Sequence, residues 1–86
     1  MRRKMAAGNW KMNGTKTHLD QLEQLSQSHA NPSVDVVICP PATLISRAAD
    51  QTAGSPIAIG AQDCHRASSG AHTGDIAATM LKDAGA

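Results

Sequence analysis

Three short apolar runs, each followed by a stretch with helical periodicity, set the tightest limit on how this chain folds. The runs are Lys4–Asn9, Val34–Ile38 and Ile57–Ala61. After the first, Leu19, Leu22 and Leu25 recur at three-residue spacing while Asp20, Glu23, Gln24 and Gln27 face elsewhere, which predicts an amphipathic helix of about 12–14 residues. Thr17 to Asp20 offers it a capping-box-like start, and Asn31-Pro32 stops it. Val34–Ile38 is β-branched throughout its apolar positions, as expected of a strand buried on both faces, and Cys39-Pro40-Pro41 ends it. Thr43 is expected to cap a second helix with Leu44, Ile45, Ala48 and Ala49 inward, closed by Gly54-Ser55-Pro56. A polar loop follows the third run, about Gln62–Gly74. Asp75 is expected to cap a last helix with Ile76, Met80 and Leu81 inward and a left-handed Gly85 at its end. The order βαβαβα needs helical crossovers, and these make the sheet parallel.

Two architectures fit that order: an open doubly wound sheet and an arc of a (β/α)8 barrel. The first βα turn reads Gly8-Asn9-Trp10-Lys11-Met12-Asn13-Gly14, which is not the GxGxxG fingerprint of the open nucleotide-binding fold. Composition adds a second limit. Of the 41% apolar residues, 15 are Ala, Leu, Ile and Val together number 13, and there is one Trp with no Phe or Tyr. Surface scaling for 8.9 kDa gives roughly 4,800 Å² folded against roughly 12,900 Å² unfolded, a marginal ~63% burial. Such a chain cannot fill a generous core from its own side chains. Its core is expected to be completed by something outside these 86 residues.

Eight basic and seven acidic residues leave no basic field for nucleic acid. Arg2, Arg3 and Lys4 read as a solvated end. No run reaches the ~20 apolar residues of a membrane span, and Met5–Gly8 is too short for an export signal. Cys39 and Cys64 lack CxxC spacing and read as small hydrophobes. In parallel α/β folds functional groups gather at the C-terminal ends of strands. The first such end carries Asn9 and Lys11, which extended geometry would turn to the same side, with Trp10 the other way. An ammonium and a carboxamide together suit an anionic substrate bearing a carbonyl, although a solvated turn has the same spacing. Cys39-Pro40-Pro41 reads as a rigid turn, and the third end carries Gln62, Asp63, Cys64 and His65. Cys39, Cys64, His65 and His72 show no metal-ligand spacing, so no metal site is expected. His18 and His29 read as solvated.

At this point the motifs name a family. GNWKMNGT at Gly8–Thr15, VVICPPATLI at Val36–Ile45, IGAQDC at Ile59–Cys64 and SGAHTGDIAATMLKDAGA at Ser69–Ala86 closely resemble the N-terminal third of triosephosphate isomerase, in register over essentially the whole chain. The resemblance implies that residues 1–86 are three βα units of a single (β/α)8 barrel domain. It implies a cytoplasmic homodimeric isomerase of glycolysis and gluconeogenesis that interconverts dihydroxyacetone phosphate and glyceraldehyde 3-phosphate through an enediolate, with no cofactor. Carried over residue by residue, Asn9 resembles the substrate-binding asparagine. Lys11 resembles the catalytic lysine that holds the phosphate and the developing oxyanion. Thr73, with Gly74 and Asp75 beside it, resembles the protruding loop that reaches the partner subunit. The family's glutamate base, neutral histidine and closing loop belong to later strands, so this piece alone is expected to be inactive.

Two departures are local. Asp75 stands where the family commonly has glutamate, which shortens the reach of any ion pair there. Ala77 replaces a common serine, which implies a weaker start to the third helix. A reading from a different class stays open beside the enzyme: a non-catalytic split βα module that binds an anion or assembles with other barrel pieces.

Overall fold

The computed structural model describes residues 2–86. Three strands, β1 (Met5–Asn9), β2 (Asp35–Cys39) and β3 (Ile57–Ile59), lie side by side in chain order as one parallel sheet. Met5 pairs with Asp35 and Asn9 with Cys39, and Val36 to Ile38 pair with Ile57 to Ile59. Helices α1 (Asp20–Ser28), α2 (Ile45–Thr52) and α3 (Ala78–Ala84) follow the strands in turn. This is the βαβαβα order expected of a barrel arc, with β3 two residues shorter than the apolar run that encodes it.

The core lies between one sheet face and the helices. Ile38, Ile57 and Ile59 meet Leu19, Leu22, Leu44, Ile45, Ala48 and Leu81 there, with Val36 and Trp10 packed against the cluster. Alternation puts Ala7, Val37 and Ala58, which pair in register, on the opposite face. Among the described residues nothing covers that face: Ala7 and Ala58 are exposed, and Met5 at its rim is 62% exposed. The expectation that Val34–Ile38 is buried on both faces is thereby corrected. Val34 precedes the strand, only Ile38 is fully buried, and Val36 and Val37 are half-buried. The chain exposes 6,212 Å², against roughly 4,800 Å² for a self-contained protein of this mass. The excess matches an open sheet face with both edges free. At one end of β2 the exposed pair Arg3 and Asp35 makes an ion pair at 2.6 Å.

All three helix starts differ from expectation, each for a local reason. The first helix is entered through a 3-10 turn at Lys16–His18, where the Thr15 N–H donates to His18 Nδ1 at 2.9 Å. His18 thus takes the reciprocal capping role expected of Asp20, two residues early. Pro41, with φ −55°, sets the entry to a 3-10 turn at Ala42–Leu44, so Thr43 lies inside the turn and its carbonyl accepts from Arg47. Asp75 caps nothing. The His65 N–H donates to the Ile76 carbonyl at 2.8 Å, which holds the chain extended as far as Ala77. Helix α3 therefore begins at Ala78, and the shifted phase turns Met80 outward, 54% exposed, while Leu81 stays buried. Gly85 ends the helix at φ +114°, where an added Cβ would collide with that of Ala49, and the Ala86 N–H closes onto the Leu81 carbonyl.

Ala77 is the N-cap of α3, with extended φ −83° and ψ 155°, and its methyl accepts no bond from the first turn. Ala77→Ser in the full-length protein should therefore stabilise it by about 1 kcal/mol, because the hydroxyl can accept an orphan N–H. Chemical denaturation checks this; an unchanged or lowered midpoint would contradict it.

Candidate functional site

The C-terminal ends of the three strands form one rim, and the chain just past β1 is pinned to it at successive positions. The Trp10 N–H donates to the Cys39 carbonyl at 3.1 Å, and Asn13 Nδ2 donates to the Trp10 carbonyl at 2.9 Å. Between these, Lys11 is the one described non-glycine residue with positive φ, at +57°. Side chains adopt that region at a cost, so the surroundings must hold it. They do so from both sides. The Lys11 N–H donates to Asn9 Oδ1 at 2.7 Å, and the Lys11 carbonyl accepts from Gln62 Nε2 at 2.8 Å. The same Gln62 nitrogen also donates to the Cys39 carbonyl at 3.0 Å. Both partners of Gln62 are carbonyl oxygens, so only the amide nitrogen can face them.

Asn9 and Lys11 are thus brought together, but not by extended geometry. The strand stops at Asn9, and the backbone turns left-handed at Lys11 around the bond between them. Trp10 goes the other way, packed on the core, and Gly14 at φ +111° passes so close that an added Cβ would lie 2.9 Å from the indole. With its oxygen engaged, Asn9 keeps the Nδ2 donors for a ligand. Among the described residues the only ion pair is Arg3–Asp35, so the exposed Lys11 ammonium is not neutralised within the sheet. The rim therefore presents an exposed ammonium and, two residues away in the chain, an amide donor. Gln62 was legible only as a polar residue at the third strand end; its bonds to residues distant in sequence gave no local signal.

Thr73, Gly74 and Asp75 lie together on the loop before α3, all exposed. Gly74 has φ +89°, and the Asp75 N–H donates to the His72 carbonyl at 3.1 Å, so the segment is a tight turn. Behind it the structure gathers His65, His72 and Asp75, with ligand atoms within 4.8 Å of one another, a grouping that sequence spacing did not reveal. The two imidazoles stack at 3.9 Å with planes 24° apart, and His65 Nδ1 accepts the Ala67 N–H at 2.9 Å. Near-parallel rings cannot both aim an in-plane lone pair at one cation, so as arranged the group is a packing contact beneath the turn. Cys39, half-buried, and Cys64, exposed, are both free thiols. Among the described residues no helix is long and apolar enough to cross a membrane.

Comparison with known proteins agrees with this fold. Along its full length the chain is 69% identical to the triosephosphate isomerase of Ruegeria sp. (strain TM1040) and 62% identical to that of Ruegeria pomeroyi, covering 34% of each. It superposes on the crystal structure of triosephosphate isomerase from Bartonella henselae with a TM-score of 0.93 and 47% identity, over 99% of this chain and 35% of that one. The chain spans about a third of the length of the curated relatives it matches. The family model for triosephosphate isomerase matches residues 4–86. Sheet, helices and rim all fall inside that match, and the chain belongs to the triosephosphate isomerase family.

Proposed function

We propose that the full-length protein carrying these residues is a cytoplasmic, homodimeric isomerase of glycolysis and gluconeogenesis that interconverts dihydroxyacetone phosphate and D-glyceraldehyde 3-phosphate by enediolate proton transfer. The carrying observation is the left-handed Lys11, held at its N–H by Asn9 and at its carbonyl by Gln62, in a family member. Lys11 supplies charge to the substrate phosphate and to the oxyanion that develops as the proton moves. Asn9 orients the substrate through its amide nitrogen. Thr73, Gly74 and Asp75 form the turn that reaches a second copy of the chain. The family's base for the carbon-bound proton belongs to later strands, and the piece alone is inactive.

The test is a coupled assay of the purified full-length protein with D-glyceraldehyde 3-phosphate, alongside sedimentation to read its assembly. Turnover by a dimer is expected; a folded full-length protein without turnover would overturn the reading. The open sheet face would equally suit a split module that assembles with other barrel pieces. Coding sequence past residue 86 separates the two: a later His-Ser-Glu-Arg-like stretch and a Glu-Pro-Val-Trp-like one belong to the enzyme, whereas an immediate stop codon belongs to the module.

A further inference from the structure

We infer that the stacked pair His65 and His72 is a pH-sensitive latch on the loop before α3, closed while His65 is neutral and released when both rings carry a proton. That its release loosens a dimer rests on the reading above, in which the Thr73–Asp75 turn reaches a second copy. Residues 66–76 form neither helix nor strand, so few contacts hold the loop in shape. The His65 N–H donates to the Ile76 carbonyl at the neck, and the Asp75 N–H donates to the His72 carbonyl under the turn. Between these the two rings stack at 3.9 Å. A backbone N–H can only donate, so the bond from the Ala67 N–H leaves His65 Nδ1 unprotonated, with the one ring proton on Nε2. A second proton has only Nδ1 to go to. There it breaks that bond and sets an imidazolium face to face with His72. The edge of His72 bearing Cδ2 and Nε2 lies against Gly70, where an added Cβ would stand 2.8 Å away, so the ring has little room to shift inside the closed loop.

The surroundings decide how many protons the pair can hold. Asp75 brings a carboxylate oxygen within 4.8 Å of a nitrogen of each ring, which favours one positive charge there. Asp63 and Cys64 line a cavity with His65 and Asp75 on the other side, and α3 presents only Ala77 and Met80, which carry no charge. Arg66, next in the chain, is exposed. Among the described residues neither acid lies within ion-pair distance of a ring, so a second imidazolium is not offset. The open loop therefore takes up one proton more than the closed one, and acid favours opening.

The test uses the full-length protein at low salt between about pH 8 and about pH 5.5, the span in which imidazoles change charge. Hydrogen exchange over residues 66–75, corrected for the intrinsic effect of pH, should quicken about tenfold on acidification, the repulsion of two unit charges at this spacing together with the lost bond. Labelled and unlabelled subunits should trade places faster over the same span. His72→Phe keeps an aromatic face and forms no charge, so both readouts should change by less than about threefold. His65→Asn keeps an acceptor for the Ala67 N–H without a ring, and it should be equally flat. Equal quickening in the parent and in His72→Phe would overturn the inference. So would a parent loop whose exchange ignores pH, or failure of both variants to fold. A full-length protein that sediments as a monomer at about pH 8 removes the dimer reading alone, because exchange in the loop still reads the latch.

Discussion

Lys11→Met in the full-length protein should cost at least about 10²–10³ in kcat/KM, the usual price of one preorganised charge, and leave the melting temperature within about 4 °C of the parent. The substitution isolates the charge. Methionine keeps an unbranched stem, and it suffers at φ +57° as lysine does, so backbone strain is the same before and after. Lys11 is exposed, and the bonds that fix its turn go through its peptide groups, which the substitution leaves in place. Lys11→Gly makes the contrast: it relieves the left-handed strain and should raise stability slightly while losing the same activity. Loss of activity together with a large fall in melting temperature for Lys11→Met would assign the lysine to the fold instead of the chemistry.

The second large effect concerns the 86 residues expressed by themselves. They should show no isomerase turnover and no cooperative core, existing at micromolar concentration as a molten, partly unfolded or aggregated chain. β1 and β3 each present an edge of unpaired backbone groups. The face bearing Ala7, Val37 and Ala58 is bare, and the surface exceeds that of a self-contained protein by about 1,400 Å². In a closed barrel that face is covered by side chains from strands across the interior. Hydrogen exchange on the soluble monomer reads this directly. Amides of β2 and β3 should exchange with little protection; strong cooperative protection from Val36 to Ile38 and from Ile57 to Ile59 would overturn the expectation.

What could be read from the sequence, and what could not, divides by range. Periodicity placed all three strands and helices, because alternation and three-to-four spacing are set by residues adjacent in the chain. The leucines of α1 and the left-handed Gly85 are of this kind. The helix starts were misassigned because a cap depends on the backbone entering it. Pro41 pre-empted Thr43, and the His65–Ile76 bond kept the chain extended past Asp75. Of the candidate site, Asn9 and Lys11 stood out through their motif, but the left-handed turn that joins them did not. Gln62 was invisible as a partner, since an amide reaching two carbonyls on other strands leaves no periodic trace. The stacking of His65 on His72 escaped for the same reason.

The alanine-rich composition, which leaves so little bulk for a core, has a use in how the units stand beside one another. Ala48 is fully enclosed, Ala77 is 5% exposed, and Ala49 and Ala84 pack against the cluster. Gly85 approaches Ala49 so closely that even one methyl group would not fit between them. Ala49 and Gly85 form the seam between the second and third βα wedges, and a thin seam fixes a small angle from one wedge to the next. A ring of eight closes only if every wedge keeps its angle. Thickening a seam would open the ring before it emptied the core, so along this arc smallness is a requirement of curvature.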